Sequence, residues 1–260
     1  MRREVVYAAV LALALLAAFG WRPLTAWWFD DLGNLALAKG DASGAFAWFD
    51  RGLALWPDSR LLLEDRGRAE LDRDPAAALR DFQRSNCGAA CVAEMGDAHA
   101  RLGDPAAAVA DYLQANAAGR LAAAEDRIAA AGGYDDAIAL EDALVQRLTG
   151  NMLLRADLAA AYAKIGKLSV DASFAKPDKA AGYRRQAISA FKRASDIAPF
   201  NEGYLLSYAF AQRDWGDKNA ARDAFRRVLS MHPHQSDAEQ ALLELGPSPP
   251  PAPAPTSKPR

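Results

Sequence analysis

Histidine and cysteine are nearly missing from this chain: three of the first and two of the second in 260 residues. His232 and His234 flank Pro233, but no third ligand stands at metal-site spacing, so a Cys/His metal centre is not expected. His99 falls on an apolar-periodic position and reads as a packed core residue. Valine, isoleucine and threonine are sparse beside abundant alanine, which argues against a sheet and for helix nearly throughout. Charge of one sign is lacking too, with 31 basic against 33 acidic residues. That removes the electrostatic footprint of a nucleic-acid binder. No glycine-rich phosphate loop and no nucleophile-elbow serine occurs. The acidic residues stand among basic neighbours, as on solvated helix faces. Neither catalysis nor a cofactor, a small-molecule substrate or a nucleic acid is expected.

Long uncharged runs are absent as well, with one exception. Residues 5–21, "VVYAAVLALALLAAFGW", carry no charge and follow Arg2 and Arg3. About 17 residues is the short limit for crossing a bilayer and slightly long for a signal-peptide core. No small-x-small cleavage site follows, and Trp21, Trp27 and Trp28 stand where interfacial aromatics would. The favoured reading is an uncleaved, single-pass anchor with the rest of the chain outside; a cleaved signal peptide and a buried apolar helix are the alternatives. At the other end, "GPSPPPAPAPTSKPR" (246–260) reads as an extended, disordered tail.

Between these ends one pattern recurs. Phe29, Leu32, Gly33, Ala36, Gly40, Ala45, Phe49, Gly52 and Pro57 return at identical offsets as Leu205, Tyr208, Ala209, Gln212, Gly216, Ala221, Phe225, Val228 and Pro233. Residues 92–115 repeat it around Gly96, Gly103 and Tyr112. Residues 63–85 repeat it around Gly67 and Phe82, one residue short in the turn. Residues 121–144 keep the helix–glycine–helix rhythm, with Glu141 where the aromatic belongs. In the fifth copy Gly166 closes the first helix and Phe191 is the aromatic. The surplus between them reads as a loop over 167–178, with the part from Lys179 extending the second helix backwards. Gly40 and Gly216 are expected to end their helices in the left-handed conformation. Ser236 is expected to cap a final helix.

The pattern resembles the tetratricopeptide repeat, a helix–turn–helix unit that buries its apolar faces by stacking. The resemblance implies an all-α, right-handed tetratricopeptide-type α-solenoid with an N-terminal transmembrane helix. Its organisation would be an anchor at 1–26, about six units over 27–246 with a loop insertion near 167–178, and a proline-rich disordered tail at 247–260. It also implies a protein or peptide partner in a concave groove lined by the first helices of the units. By register the groove residues are Asp30, Asn34, Leu37, Asp97, Arg101, Lys164, Leu206, Phe210 and Arg213, with Ala93, Ala100, Ala156, Ala160 and Ala163 between them. The family's groove for C-terminal carboxylates has lysine where Asp30 stands, a departure that speaks against tail binding of that kind.

Cys87 and Cys91, in "NCGAACVAE", sit at the junction of the second and third copies. Their spacing is neither thioredoxin-like nor haem-attaching. In an oxidising compartment they would form a short disulfide, provided the turn breaks the helix there. A redox pair or two free thiols are the other readings. Taken together, the features fit a non-catalytic scaffold in the cytoplasmic (inner) membrane with its array on the periplasmic side, assembling an envelope complex for polysaccharide, secretion or pilus. The alternative is a chaperone-like assembly factor, similar in layout to the anchored repeat proteins of cytochrome c maturation.

Overall fold

The computed structural model of the protein describes Tyr7 and residues 21–246. The anchor residues before Trp21 (Tyr7 aside) and the tail from residue 247 lie outside the described residues. Among those described there is no strand, and no helix is long and apolar enough to cross a membrane. Over residues 21–246 thirteen α-helices follow one another as six pairs and a closing helix. The pairs are α1 (Trp21–Ala38) with α2 (Ala42–Leu55), α3 (Arg60–Glu70) with α4 (Pro75–Ser85), α5 (Ala89–Leu102) with α6 (Pro105–Gln114), α7 (Ala118–Ala130) with α8 (Tyr134–Leu148), α9 (Arg155–Ala175) with α10 (Ala180–Ile197), and α11 (Glu202–Trp215) with α12 (Lys218–Met231). The closing helix is α13 (Ser236–Leu245). The chain divides within α7 into two compact units, one ending at Ala124 and the other beginning at Glu125.

Aspartates start the second helix of most pairs. The side chains of Asp41, Asp74, Asp104 and Asp217 accept amides from the first turns of α2, α4, α6 and α12. Pro75 and Pro105 follow at the first helical position, where no amide is needed. Ends differ more than expected. Gly40 and Gly103 are left-handed, with φ of 79° and 74°. Gly216 is not: its φ is −125°. There the Gln212 side-chain oxygen accepts the Asp217 amide at 2.8 Å, so a side chain closes the turn that a left-handed backbone closes elsewhere. The cap of α13 is Gln235, whose side chain accepts the Ala238 amide at 2.7 Å, and Ser236 is already helical.

The packing rule inside a pair is a small residue under a ring. A Cβ added at Gly33, Gly67 or Gly96 would fall within 3.0 Å of the ring of Phe49, Phe82 or Tyr112. Each of these rings is fully buried. In the last pair Ala209 takes the small position, and Phe225 is buried with it in one core cluster.

The fifth pair corrects the sequence reading. Residues 167–178 are not a loop: α9 continues to Ala175, a 3₁₀ turn covers Pro177–Lys179, and α10 starts at Ala180. Gly166 does not terminate a helix. It lies inside α9 with the Phe191 ring against it, in the role of Gly33 rather than Gly40. The register is therefore shifted by two helical turns. The insertion lengthens both helices, and its residues Leu168, Ser169, Ala172 and Ser173 are buried. Pro177 supplies the only strong helix breaker between Gly166 and Phe191, and the helix stops there.

Candidate partner-binding faces

In the first unit the expected groove positions form a polar ladder across three first helices. Asn34 of α1 donates to its neighbour Asp30 at 3.1 Å and to Asp65 of α3 at 2.8 Å. Arg68 of α3 donates to Asp65 at 2.5 Å and to Glu94 of α5 at 2.8 Å. Arg68 also reaches Glu64 at 3.3 Å, and Arg60 pairs with Glu64 at 2.5 Å. Three carboxylates, of Glu64, Asp65 and Glu94, thus share two guanidinium groups, and Asp30 is held by the Asn34 amide. Asp30 is buried, and one oxygen each of Asp30 and Glu94 has no hydrogen-bond partner. Burial, and then the facing Asp65 carboxylate, pushes the Asp30 carboxyl up to about 7. The hydrogen bond to Glu94 pushes the Arg68 guanidinium still further above its ordinary value.

Further along, the Tyr112 hydroxyl donates to Asp97 at 2.7 Å, and Arg120 approaches the same carboxylate at 3.7 Å. Arg101 pairs with Asp72 at 2.6 Å and donates to the Asp97 carbonyl. Sequence reasoning named Asp30, Asn34, Asp97 and Arg101 but missed Asp65, Arg68 and Glu94, the residues that carry the ladder from Asn34 of α1 to α5. Asp65 and Arg68 lie in the second copy, for which the sequence reading assigned no groove residue. Leu37 is a half-buried neighbour of the Phe49 core, and Ala93 and Ala100 are buried. His99 is half-buried, its Nδ1 2.7 Å from Asp111 Oδ2.

The second unit has a different centre. Glu125 of α7 stands where the first unit has Gly96, and Glu141 of α8 where it has Tyr112; both pairs are 16 residues apart. Both glutamates are buried, and Lys164 of α9 completes the group. It hydrogen-bonds Glu125 and lies 3.7 Å from Glu141. Burial, then the neighbouring Glu125 carboxylate, pushes Glu141 up to about 8. Burial also raises Glu125, against the pull of Lys164. Burial opposes the charge on Lys164, but its hydrogen bond to Glu125 and the pair of carboxylates outweigh it and hold its proton more tightly. The two acids and one ammonium behave as a site that shares protons, with one oxygen of each glutamate unpartnered.

Lys164 therefore faces inward to this pair rather than lining an open groove, while Ala156 and Ala160 are exposed and Ala163 half-buried. Leu206 and Phe210 are half-buried against the last core cluster. Phe210 meets Phe225 edge-on with centroids 5.1 Å apart, and Arg213 stacks over it at 4.9 Å. Phe210 is thus a packing residue as much as a surface one, and its removal is expected to lower stability. Arg213 remains outward, paired with Asp214 and Glu244.

Cys87 and Cys91 form a disulfide with Cα atoms 5.6 Å apart. Asn86 and Gly88 have φ of 47° and 63°, so the chain turns sharply before α5 and brings both sulfurs to the start of that helix. The Glu64 carboxylate lies within 4.8 Å of both sulfurs. With the sulfurs bonded to each other, that cluster offers a metal one carboxylate and no thiolate.

Comparison with known proteins finds no matching family model and no matching curated protein. Solved structures with similar helical arrangements include MamA, with 21% identity, 84% of this chain and 97% of that one covered, and a TM-score of 0.32. PilF of Pseudomonas aeruginosa matches at 12% identity over 86% of this chain and 84% of that one, with a TM-score of 0.33. YrrB, described as a TPR protein with an unusual peptide-binding site, matches at 12% identity over 82% and 89%, with a TM-score of 0.32. Superpositions this loose carry no functional argument, which rests on the geometry above.

Proposed function

We propose that this protein is a non-catalytic interaction scaffold whose first helices present a partner-binding face. In this reading residues 1–26 anchor it in the cytoplasmic membrane as a single pass. Its repeats stand on the periplasmic side and help assemble a cell-envelope complex for polysaccharide synthesis or export, secretion, or a pilus. The observation that carries the proposal is the ladder from Asp30 through Asn34, Asp65 and Arg68 to Glu94. It is a row of polar groups from three successive helix pairs, held in fixed positions by mutual hydrogen bonds. Pre-positioned groups lose little entropy when a partner binds. The Cys87–Cys91 disulfide supports an oxidising compartment, and the uncharged run at 5–21 after two arginines supports the orientation.

A photo-crosslinking residue placed at Asn34 or Arg101 in intact cells tests the face, with buried Leu62 as control. The expected result is one small, recurring set of membrane-complex proteins. Many unrelated unfolded clients would favour the chaperone-like alternative. No product beyond the Leu62 control would remove the face. Alkaline phosphatase fused after residue 246 tests the topology, and activity outside the cytoplasm in the membrane fraction is expected.

A further inference from the structure

Helix α1 has two unlike faces. Ala26 and Asp30 are buried and Phe29 half-buried toward the core of the first unit. On the other side Trp21, Leu24, Trp27 and Trp28 are 41%, 69%, 60% and 54% exposed. Positions 21, 24 and 28 share one helical stripe, and Trp27 borders it. The same side turns polar at once with exposed Asp31 and Asn34. The apolar part of the stripe therefore spans about 10 Å of helix axis, from Trp21 to Trp28. On the other side of α1, toward α3, lies a pocket of about 440 Å³ with Pro23, Ala26, Trp56 and Leu61 in its walls and Arg60 and Glu64 at its polar side.

Three exposed tryptophans in two turns are costly in water and favoured where hydrocarbon gives way to headgroups, because the indole has an apolar body and a polar N–H. We propose that the exposed face of the first two turns of α1 sits in the interfacial layer of a lipid bilayer, so that the first repeat is seated on the membrane by its own first helix. This rests on the anchor reading above and deepens it. Connectivity favours a bilayer over a protein partner or a second copy. The uncharged run 5–21 continues into α1 with no polar linker, and between Glu4 and Asp30 the sequence carries a single charge, Arg22. A spanning segment ending there would put Trp21 at the interface. The change from Trp28 to Asp31 then matches the change from the interfacial layer to water.

Tryptophan fluorescence of the full chain in phosphatidylcholine–phosphatidylglycerol vesicles tests the seat, with bromine either just below the headgroups or at the bilayer centre. Shallow bromine is expected to quench about twofold more strongly than deep bromine. Trp27→Phe with Trp28→Phe should remove most of that difference, while the protein still floats with the vesicles and keeps its helical circular dichroism. Flotation without shallow quenching would overturn the seat and leave the anchor standing. Failure to float would overturn both. A dimer in detergent, crosslinked through Leu24→Cys, would show that a second copy covers this face and would also overturn the seat.

Discussion

Two helix pairs with the same spacing are built on opposite chemistry. In α5–α6 the absent side chain of Gly96 makes room for the ring of Tyr112, which is fully buried, and the ring's hydroxyl reaches Asp97 at 2.7 Å. In α7–α8 the corresponding positions hold Glu125 and Glu141, with Lys164 as their partner. The first solution gains apolar burial and close van der Waals contact, both insensitive to pH. The second takes charges out of water and recovers only part of that cost through pairing. The same backbone geometry can therefore hold a rigid joint in one place and a titrating one in another. Which one forms is set by two residues.

The largest effect should come from removing a ring. Tyr112→Ala leaves a cavity over Gly96 and is expected to cost about 3–5 kcal/mol, read as a lower denaturant midpoint. Phe191→Ala over Gly166 should be similar. A loss below about 1 kcal/mol at either site would break the claim that small-under-ring packing holds these pairs. Next, the triple change Glu125→Gly, Glu141→Phe and Lys164→Met should convert the titrating joint into the rigid kind without stranding the ammonium that both carboxylates hold. At pH 8 a gain of about 1–4 kcal/mol is expected, since apolar replacements of a whole buried charge group commonly stabilise. A destabilised triple variant would show that the α7–α8 backbone is not equivalent to α5–α6.

Cutting the disulfide by Cys87→Ser with Cys91→Ser should cost about 2 kcal/mol, because the closed loop is short. The loss should fall on the first unit, which contains both residues. The pH dependence is spread over both units, because Asp30 in the first is held up to about 7 and Glu141 in the second higher still. Glu141 is held up to about 8 in the fold, against 4.5 for the unperturbed group. Between those values the folded state binds more protons than the unfolded one, so stability falls as pH rises from about 5 to about 8. The slope is at most about 1.4 kcal/mol per pH unit for one proton. Glu141→Gln should remove its share and leave the part due to Asp30, which urea titrations at several pH values would show. A slope unchanged by that substitution would place the titrating group elsewhere.

Much of this was legible in the chain. Phe49, Phe82, Tyr112, Phe191 and Phe225 are the rings the repeat pattern names, and all five are buried. Glu141 was visible as a carboxylate in an aromatic position, but its partner Glu125 was not, although it lies at the same 16-residue spacing as Gly96 from Tyr112. A charged residue on a predicted helix reads as solvated until something is known to cover it. Among the groove residues, those on the ladder were named only in part. Phe210 was assigned to the surface, because its register position says nothing of the Phe225 ring that meets it.

Local chemistry written in the sequence determined that the described chain is helical, that the helices come in pairs, and where most of them begin. Helix propensity, aspartate caps and prolines act within a few residues of themselves. Tertiary structure decided what the same letters mean in place. Gly166 packs under Phe191 instead of ending a helix, Glu141 keeps its proton where an exposed glutamate would not, and residues 167–175 are helix rather than loop. Each of these outcomes depends on a neighbour brought close through space, whose burial and charge no local pattern encodes.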